Sequence, residues 1–348
     1  MAGAGPSGLS AAINLVKAGF EVEVFEAGKD CGSRFGGDLQ GLENWSKKEN
    51  VLDDLKQMNI EINFDCAPFK KMYGMTGKNK TALEFSKPAF YLVKRGTVGG
   101  SLDQGLKRQA MENGVKIIFN SRIGNEADII ATGPFSKESF AVDRGIIFDT
   151  DMDDIAVGLA DDKFAYKGYA YFLVTNGYGC ICTVLFDKLE RVNDSLDRTI
   201  KFFEKNFNVD IKNPRRVGGV GTFSLGNKFE VDGKKYVGEA AGIQDLLWGF
   251  GMRSAITSGY LAAKSIIDKT SYQDVARKYF EKRLKASLVN RFVAETFLQK
   301  LAPLNAVFSP KDHDKMLEAF GRSYTNYPKI LYPLALWSLS RRYKSLRN

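Results

Sequence analysis

The opening of this sequence constrains its fold more than any other stretch: Gly3-Ala-Gly5-Pro-Ser-Gly8 is a Gly-x-Gly-x-x-Gly turn that runs straight into Leu9-Ser-Ala-Ala-Ile-Asn-Leu-Val-Lys-Ala18. The apolar positions of that run fall at helical spacing, and Gly19 stops it. Phe20-Glu-Val-Glu-Val-Phe25 then alternates apolar and polar residues as a strand does, and ends at Glu26. Glycines at this spacing permit a tight turn, let a pyrophosphate approach the backbone and let the helix pack closely. The helix N-terminus adds unpaired N–H groups and the positive end of its dipole. An acid closing the next strand takes ribose hydroxyls, and Glu26 lies 18 residues beyond Gly8, near the usual spacing of about 20. Turn, helix, strand and acid in this order predict a dinucleotide site. Only Met1 and Ala2 precede Gly3, so the apolar strand that normally feeds such a turn is not visible. A misassigned start is the expectation, with a cut chain or a sheet closed in some other way as alternatives.

A second αβ unit follows further along, and no internal repeat is visible. A short helix is expected from Asn50 to Asn59, and short strands and turns from Ile60 to Val93. Ser101 to Glu112 has helical spacing, Val115 to Phe119 reads as a strand, and Ala127-Asp-Ile-Ile-Ala-Thr-Gly133 is a short apolar strand that delivers a glycine turn. Between Phe135 and Phe229 the chain is rich in β patterns. Gly168 to Thr175 and Cys180 to Phe186 are joined by Asn176-Gly-Tyr-Gly179, a hairpin signal, and one amphipathic helix spans Asp194 to Phe207. Lys235 to Gly242 returns to the strand-then-glycine style, Gly251 to Ile267 is a long helix with small residues on one face, and the chain after Thr270 is mostly helical and basic.

Composition narrows the chemistry. With 348 residues, 44% hydrophobic and 26% charged, the chain is an ordinary globular protein of two or three structural units. Its four cysteines (Cys31, Cys66, Cys180, Cys182) show no Cys-x-x-Cys spacing and no signal peptide precedes them, so the chain reads as reduced and cytoplasmic. His313 is the only histidine, which argues against a Ser-His-Asp triad and against a His-rich metal site. The formal charge of +9 admits nucleic acid, an anionic membrane or anionic small molecules, and no nucleic-acid recognition motif is present. At the C-terminus, Ile330 to Leu339 is too short to cross a bilayer and is followed by Arg341, Arg342, Lys344 and Arg347. Two readings stay open there: a helix packed on the body with a solvated basic end, or a segment that docks peripherally on an anionic membrane.

Three separated segments make the sequence resemble the FAD-dependent oxidoreductases of the para-hydroxybenzoate hydroxylase-like fold, and within them the geranylgeranyl reductases, including the archaeal digeranylgeranylglycerophospholipid reductases. Gly3 to Glu26 is similar to their ADP-binding fingerprint, Ala127 to Gly133 to the Ala-Thr-Gly turn after the second αβ unit, and Val237 to Ala263 to the late flavin-binding segment. Gly238-Glu239-Ala240-Ala241-Gly242 stands where the family has Gly-Asp-Ala-Ala-Gly, and Trp248-Gly249-Phe250-Gly251 follows without the family's proline.

The resemblance implies that FAD is held by Gly3, Gly5, Pro6, Ser7, Gly8, Glu26, Ala27, Arg95, Thr132, Gly133, Glu239, Gly242, Gly249, Gly251 and Met252. It places Cys31 in a cysteine-glycine loop beside the flavin, with a catalytic role, against the commoner reading of a small buried cysteine. Tyr169, Tyr171 and Trp248 are the expected substrate contacts. The family's Tyr-x-Trp-x-Phe-Pro tunnel motif appears only as Tyr169-Ala-Tyr-Phe-Leu-Val174, and the Trp-x-Trp-x-Ile-Pro signature of flavin-dependent halogenases is absent.

The expected architecture is α/β. A discontinuous Rossmann-like FAD-binding domain (1–65, 94–135 and 230–270) carries an inserted antiparallel β-sheet substrate domain (66–93 and 136–229) and a helical C-terminal region (271–348). The expected activity is reduction of C=C bonds in an isoprenoid or other hydrophobic substrate by hydride transfer from reduced flavin, with NAD(P)H or ferredoxin as a transient electron donor. The alternatives are a flavin monooxygenase on the same fold and a non-catalytic, membrane-associated FAD-binding protein.

Overall fold

Glycine at position 5 ends an extended segment, and the Pro6–Lys17 helix starts at once with Pro6 in its first turn, where the missing N–H leaves no helical bond unmade. Described from a computed structural model, the protein is defined over residues 1–77, 79–124, 126–134, 139–225, 229–298, 312–343 and 346. Strand Glu23–Phe25 runs parallel to Lys116–Ile118. On its other side stand Met1 and Ala2. Ala2 bridges both Phe25 and Ile130 in parallel; its N–H donates to Ile129 O at 2.9 Å, and its carbonyl accepts from Ala131 N–H at 2.7 Å. Two residues therefore do the pairing expected of a longer central strand. Lys234–Tyr236 continues the parallel sheet beyond Ile129–Ile130, and Glu230–Val231 closes that edge antiparallel.

A second sheet has seven strands in the order Lys212–Gly221, Ala141–Asp149, Tyr178–Leu185, Tyr169–Thr175, Ile155–Leu159, Lys71–Thr76 and Asn79–Glu84. Every neighbouring pair is antiparallel except Ile155–Leu159 with Lys71–Thr76. Its central hairpin turns on Asn176 and Gly177, both at positive φ (50° and 71°) as a two-residue turn of matching twist requires. Side chains alternate across the strands. Ala170, Phe172 and Val174 pack against Leu196 and Phe203 of the Val192–Phe207 helix, which leaves Tyr169, Tyr171 and Leu173 on the opposite face. A third sheet of Leu39–Glu43, Phe90–Lys94 and Ala67–Phe69 stands over that face; its Leu39, Phe90 and Leu92 share a core with Ile147, Leu173 and Cys180.

Helix Met252–Ile267 crosses the first helix at very short range. A Cβ placed on Gly259 would sit 2.0 Å from the backbone oxygen of Ser7, and Ser10 Oγ donates to Ile256 O at 2.9 Å. Helices Tyr272–Val293, His313–Ser323 and Tyr332–Ser340 follow. In the last of these, Ala335 and Leu339 join Tyr343 and Leu346 in the main core, whereas Ile330, Leu334 and Trp337 are 86%, 47% and 55% exposed. No helix among the described residues is long and apolar enough to cross a membrane. The expected boundary at 135/136, and Lys344 and Arg347 of the basic terminus, lie outside the described residues.

The crossing at Gly259 is a contact between backbones, so Gly259→Val is expected to destabilise the protein by about 3 kcal/mol or more, at the upper end of overpacking costs. Urea denaturation followed by circular dichroism checks this.

Candidate dinucleotide and substrate chamber

Between the parallel sheet and the seven-stranded sheet lies a chamber of about 1240 Å³, larger than the roughly 300–1,000 Å³ of ordinary ligand pockets. One end is built from the N-terminal turn, and its three glycines do different work. Gly3 has φ +99°, and a Cβ there would lie 2.3 Å from Ala131 O; a Cβ on Gly8 would lie 2.1 Å from Gly3 O. Both are demanded by packing, and Gly8 lies behind the chamber wall. Gly5 lines the chamber, its φ of −77° suits any residue, and a Cβ there meets nothing within 4 Å. Open space in front of a helix N-terminus is what a phosphate needs.

Pro6 and Ser7 line the same end, with Thr132 and Gly133 from the other parallel strand. Glu26 and Ala27 close it. The Glu26 carboxylate accepts from Ala4 N–H at 2.8 Å and from Gly28 N–H at 2.7 Å, so both oxygens are oriented before any ribose hydroxyl arrives. These residues fit the ADP half of a dinucleotide.

The late segment supplies the middle of the chamber. Glu239 lies in the single turn Gly238–Ala241 and lines the chamber, as do Gly249, Gly251 and Met252. Its Oε2 accepts from Arg34 Nη1 at 2.7 Å and its Oε1 from Thr222 N–H at 3.0 Å. Arg34 also donates to Val220 O, tying the loop after Glu26 to the second sheet. Helix Met252–Ile267 starts here with no acid in its first turn, so its positive end is left to act on the chamber. Gly242, at φ +72°, packs on Ser224 Oγ away from the chamber.

Two of the expected residues are engaged elsewhere. Arg95 is buried at the chamber edge, and its Nε and Nη2 form a bidentate pair with Asp103 at 2.8 and 3.0 Å. Only Nη1 reaches further, to Gln40 Oε1 at 3.2 Å. Cys31 is fully buried in the core and is not part of the chamber wall. Burial, with the negative charge of Asp30 adding to it, pushes its thiol up to about 12, so it stays protonated at neutral pH.

At the far end the walls become aromatic and aliphatic. Tyr169 and Tyr171 face inward with Leu173, opposite Phe85 and Phe90. The Tyr169 hydroxyl donates to Trp248 O, and the Tyr169 and Trp248 rings meet edge to face at 5.4 Å, which locks the sheet to the loop before Met252. One carboxyl on this wall, Asp143, is pushed up to about 6, chiefly by burial and then by the negative charge of Asp38. Sequence reading missed Asp143 and Arg34. Asp143 sits at an unremarkable position in a strand, and the partner of Arg34 lies 205 residues away. Among the described residues no cluster of His, Cys, Asp and Glu is arranged to hold a metal ion.

The family model described as NAD(P)-binding Rossmann-like domain matches residues 2–38, and no curated protein matches the chain by sequence. Among solved structures the chain is similar to a geranylgeranyl bacteriochlorophyll reductase-like protein from Thermoplasma acidophilum. The two are 16% identical over 96% of this chain and 97% of that one, with a TM-score of 0.72. It is also similar to a triple mutant of a flavin-dependent brominase, with 12% identity, 98% of each chain covered and a TM-score of 0.66. A third similar structure is p-nitrophenol 4-monooxygenase from Pseudomonas putida, with 15% identity, 94% and 98% covered and a TM-score of 0.60. The chain has the para-hydroxybenzoate hydroxylase-like fold, a Rossmann-like dinucleotide-binding unit with antiparallel sheets and a helical C-terminus, which these three structures share.

Proposed function

We propose that the protein is an FAD-dependent oxidoreductase that reduces C=C bonds of an isoprenoid or another long hydrophobic substrate. The observation that carries this reading is the continuity of one chamber, with a phosphate-admitting glycine turn at one end and apolar walls at the other. Bound FAD supplies a hydride from its reduced ring. The chain supplies the rest. Gly5 admits the pyrophosphate, Glu26 orients the ribose, and the N-terminus of the Met252–Ile267 helix favours negative charge on the reduced ring. Tyr171, Leu173 and Phe90 hold an apolar chain and exclude water, which keeps hydride transfer ahead of side reactions. NAD(P)H or ferredoxin is the proposed donor of electrons to the flavin. A second reading, a monooxygenase, is favoured by the similarity to the p-nitrophenol enzyme.

Anaerobic reduction with dithionite separates the two. A flavin spectrum that bleaches and returns on addition of a prenyl lipid without oxygen supports the reductase; return only on addition of oxygen, with hydroxylated product, supports the monooxygenase. The turn itself gives a cleaner test, because the backbone at Gly5 tolerates a side chain. Gly5→Val is expected to fold with a native melting temperature and to lose FAD binding by about 100-fold or more, measured by fluorescence titration; native FAD affinity in that variant contradicts the assignment.

A membrane-facing role for the C-terminus rests on the exposure of Ile330, Leu334 and Trp337, with the Arg341 guanidinium 3.7 Å above the Trp337 ring. An apolar edge with cations beside it suits an anionic bilayer surface. Replacing Ile330, in the turn before the last helix, and Leu334 and Trp337 on it by Glu, which leaves buried Ala335 and Leu339 in place, is expected to lower partition onto phosphatidylserine liposomes about ten-fold; unchanged partition contradicts the docking role.

A further inference from the structure

Behind Trp45 and Phe250 lies a second, smaller cavity of about 30 Å³ that shares Trp45, Gln244, Asp245 and Phe250 with the chamber wall. Three polar atoms of residues lining it are buried and have no hydrogen-bond partner: Glu43 Oε2, Trp45 Nε1 and Ser46 Oγ; the Tyr324 hydroxyl stands beside the Asp245 carboxylate. Buried polar atoms are rarely left unpaired, and three around one cavity share one explanation. The space accommodates one or two water molecules. The donor set fits as well, since the indole N–H can only donate, the carboxylate oxygen accepts, and the serine hydroxyl does either. Asp245 reaches the same cavity while its carboxylate accepts from Trp248 N–H and Ser287 Oγ, both at 2.7 Å.

Glu43 ends strand Leu39–Glu43 and is 3% exposed. The charged and titratable groups facing it come from four further segments of the chain. Arg253, on helix Met252–Ile267, holds Asp54 at 2.9 Å and keeps a buried Nη1 without a hydrogen-bond partner; its charge pulls the Glu43 carboxyl down. Arg283, on helix Tyr272–Val293, donates to Ser46 O at 3.3 Å. Asp245 and Tyr324 add no positive charge. Burial therefore outweighs the two guanidiniums and pushes the Glu43 carboxyl up to about 7.

We infer that the small cavity holds ordered water joining Glu43 to Asp245, and that Glu43 is the proton store of the reaction chamber. The inference rests on the reductase reading, because hydride transfer to a C=C bond leaves the product one proton short. The O–H bond of the Glu43 acid breaks and its proton passes to the water. The water gives one of its own protons to the Asp245 carboxylate, which passes it to the carbon beside the one that took the hydride. Both electrons come with the hydride from the reduced cofactor, and solvent reprotonates Glu43.

Infrared titration of the FAD-free full chain tests the site without turnover. A carboxylic acid C=O band that titrates near pH 7 and vanishes in Glu43→Gln is expected; its absence overturns the assignment. Stability gives an independent reading. The folded-state value lies above the unfolded one, so Glu43 withdraws stability as pH rises from about 4.5 to about 7, and glutamine does not. Glu43→Gln should therefore gain melting temperature relative to the native chain between about pH 5 and about pH 8; an equal offset at both contradicts the raised acid. For the relay, native flavin content shows that Glu43→Gln and Tyr324→Phe are folded. Anaerobic reoxidation by a prenyl lipid should slow about ten-fold or more in Glu43→Gln and lose its fall above about pH 7, with a smaller slowing in Tyr324→Phe. A Glu43→Gln variant that keeps the native rate and pH profile overturns the relay. A native protein whose reduced flavin the lipid never reoxidises overturns the reductase reading and the relay with it, while the infrared and stability results still decide whether Glu43 is a hydrated buried acid.

Discussion

The chamber depends on main chain meeting main chain around the first helix. Gly3 lies against Ala131 O, Gly8 against Gly3 O, and Gly259 against Ser7 O, each closer than any Cβ permits. These three contacts bring the first helix, the parallel sheet and the Met252–Ile267 helix to a common point. They also leave Gly5, the one glycine of the motif with open space before it, at the start of a helix whose first-turn N–H groups have no intrahelical acceptor. Tight packing on one side of the turn and vacancy on the other have a single cause, the absence of side chains along it.

The far half of the chamber follows from strand alternation. The seven-stranded sheet turns one face to the Val192–Phe207 helix and fills it with Phe172, Val174 and Phe203. On the opposite face Tyr169, Tyr171 and Leu173 look into the space between it, the Leu39–Glu43 sheet and the His313–Ser323 helix. A dinucleotide end and an apolar end then share one enclosure, held in register where the Tyr169 hydroxyl meets Trp248 O and where Arg34 joins Glu239 to Val220. Several charged side chains of its wall are held in ion pairs, Arg34 with Glu239, Arg95 with Asp103 and Arg291 with Glu295, so carboxyls without such a partner carry the chemistry.

Local features were legible in the sequence because their causes are local. The glycine turn, the helix after it, the Glu23–Phe25 strand and the Asn176-Gly177 hairpin all follow from steric rules acting within a few residues. The centre of the parallel sheet was not legible, because two residues have no periodicity, and Ala2 is fixed by Phe25 and Ile130 far along the chain. The same distance hid the polar chemistry. Arg34 is defined by Glu239 and Glu43 by Arg253, Arg283 and Tyr324, none of them neighbours in sequence. Cys31 shows the converse: its sequence context suggests reactivity, whereas burial decides its state.

The central claim is that one enclosure holds a dinucleotide against Gly5 and a hydrophobic substrate beyond it. A crystal structure of the FAD-loaded protein tests that most directly. The account predicts the pyrophosphate over Gly5 at the start of the Pro6–Lys17 helix, a ribose on Glu26, and the flavin ring between the Met252 helix end and the wall of Tyr171 and Leu173. FAD bound away from Gly5, or a ring that points out of the chamber, would contradict it.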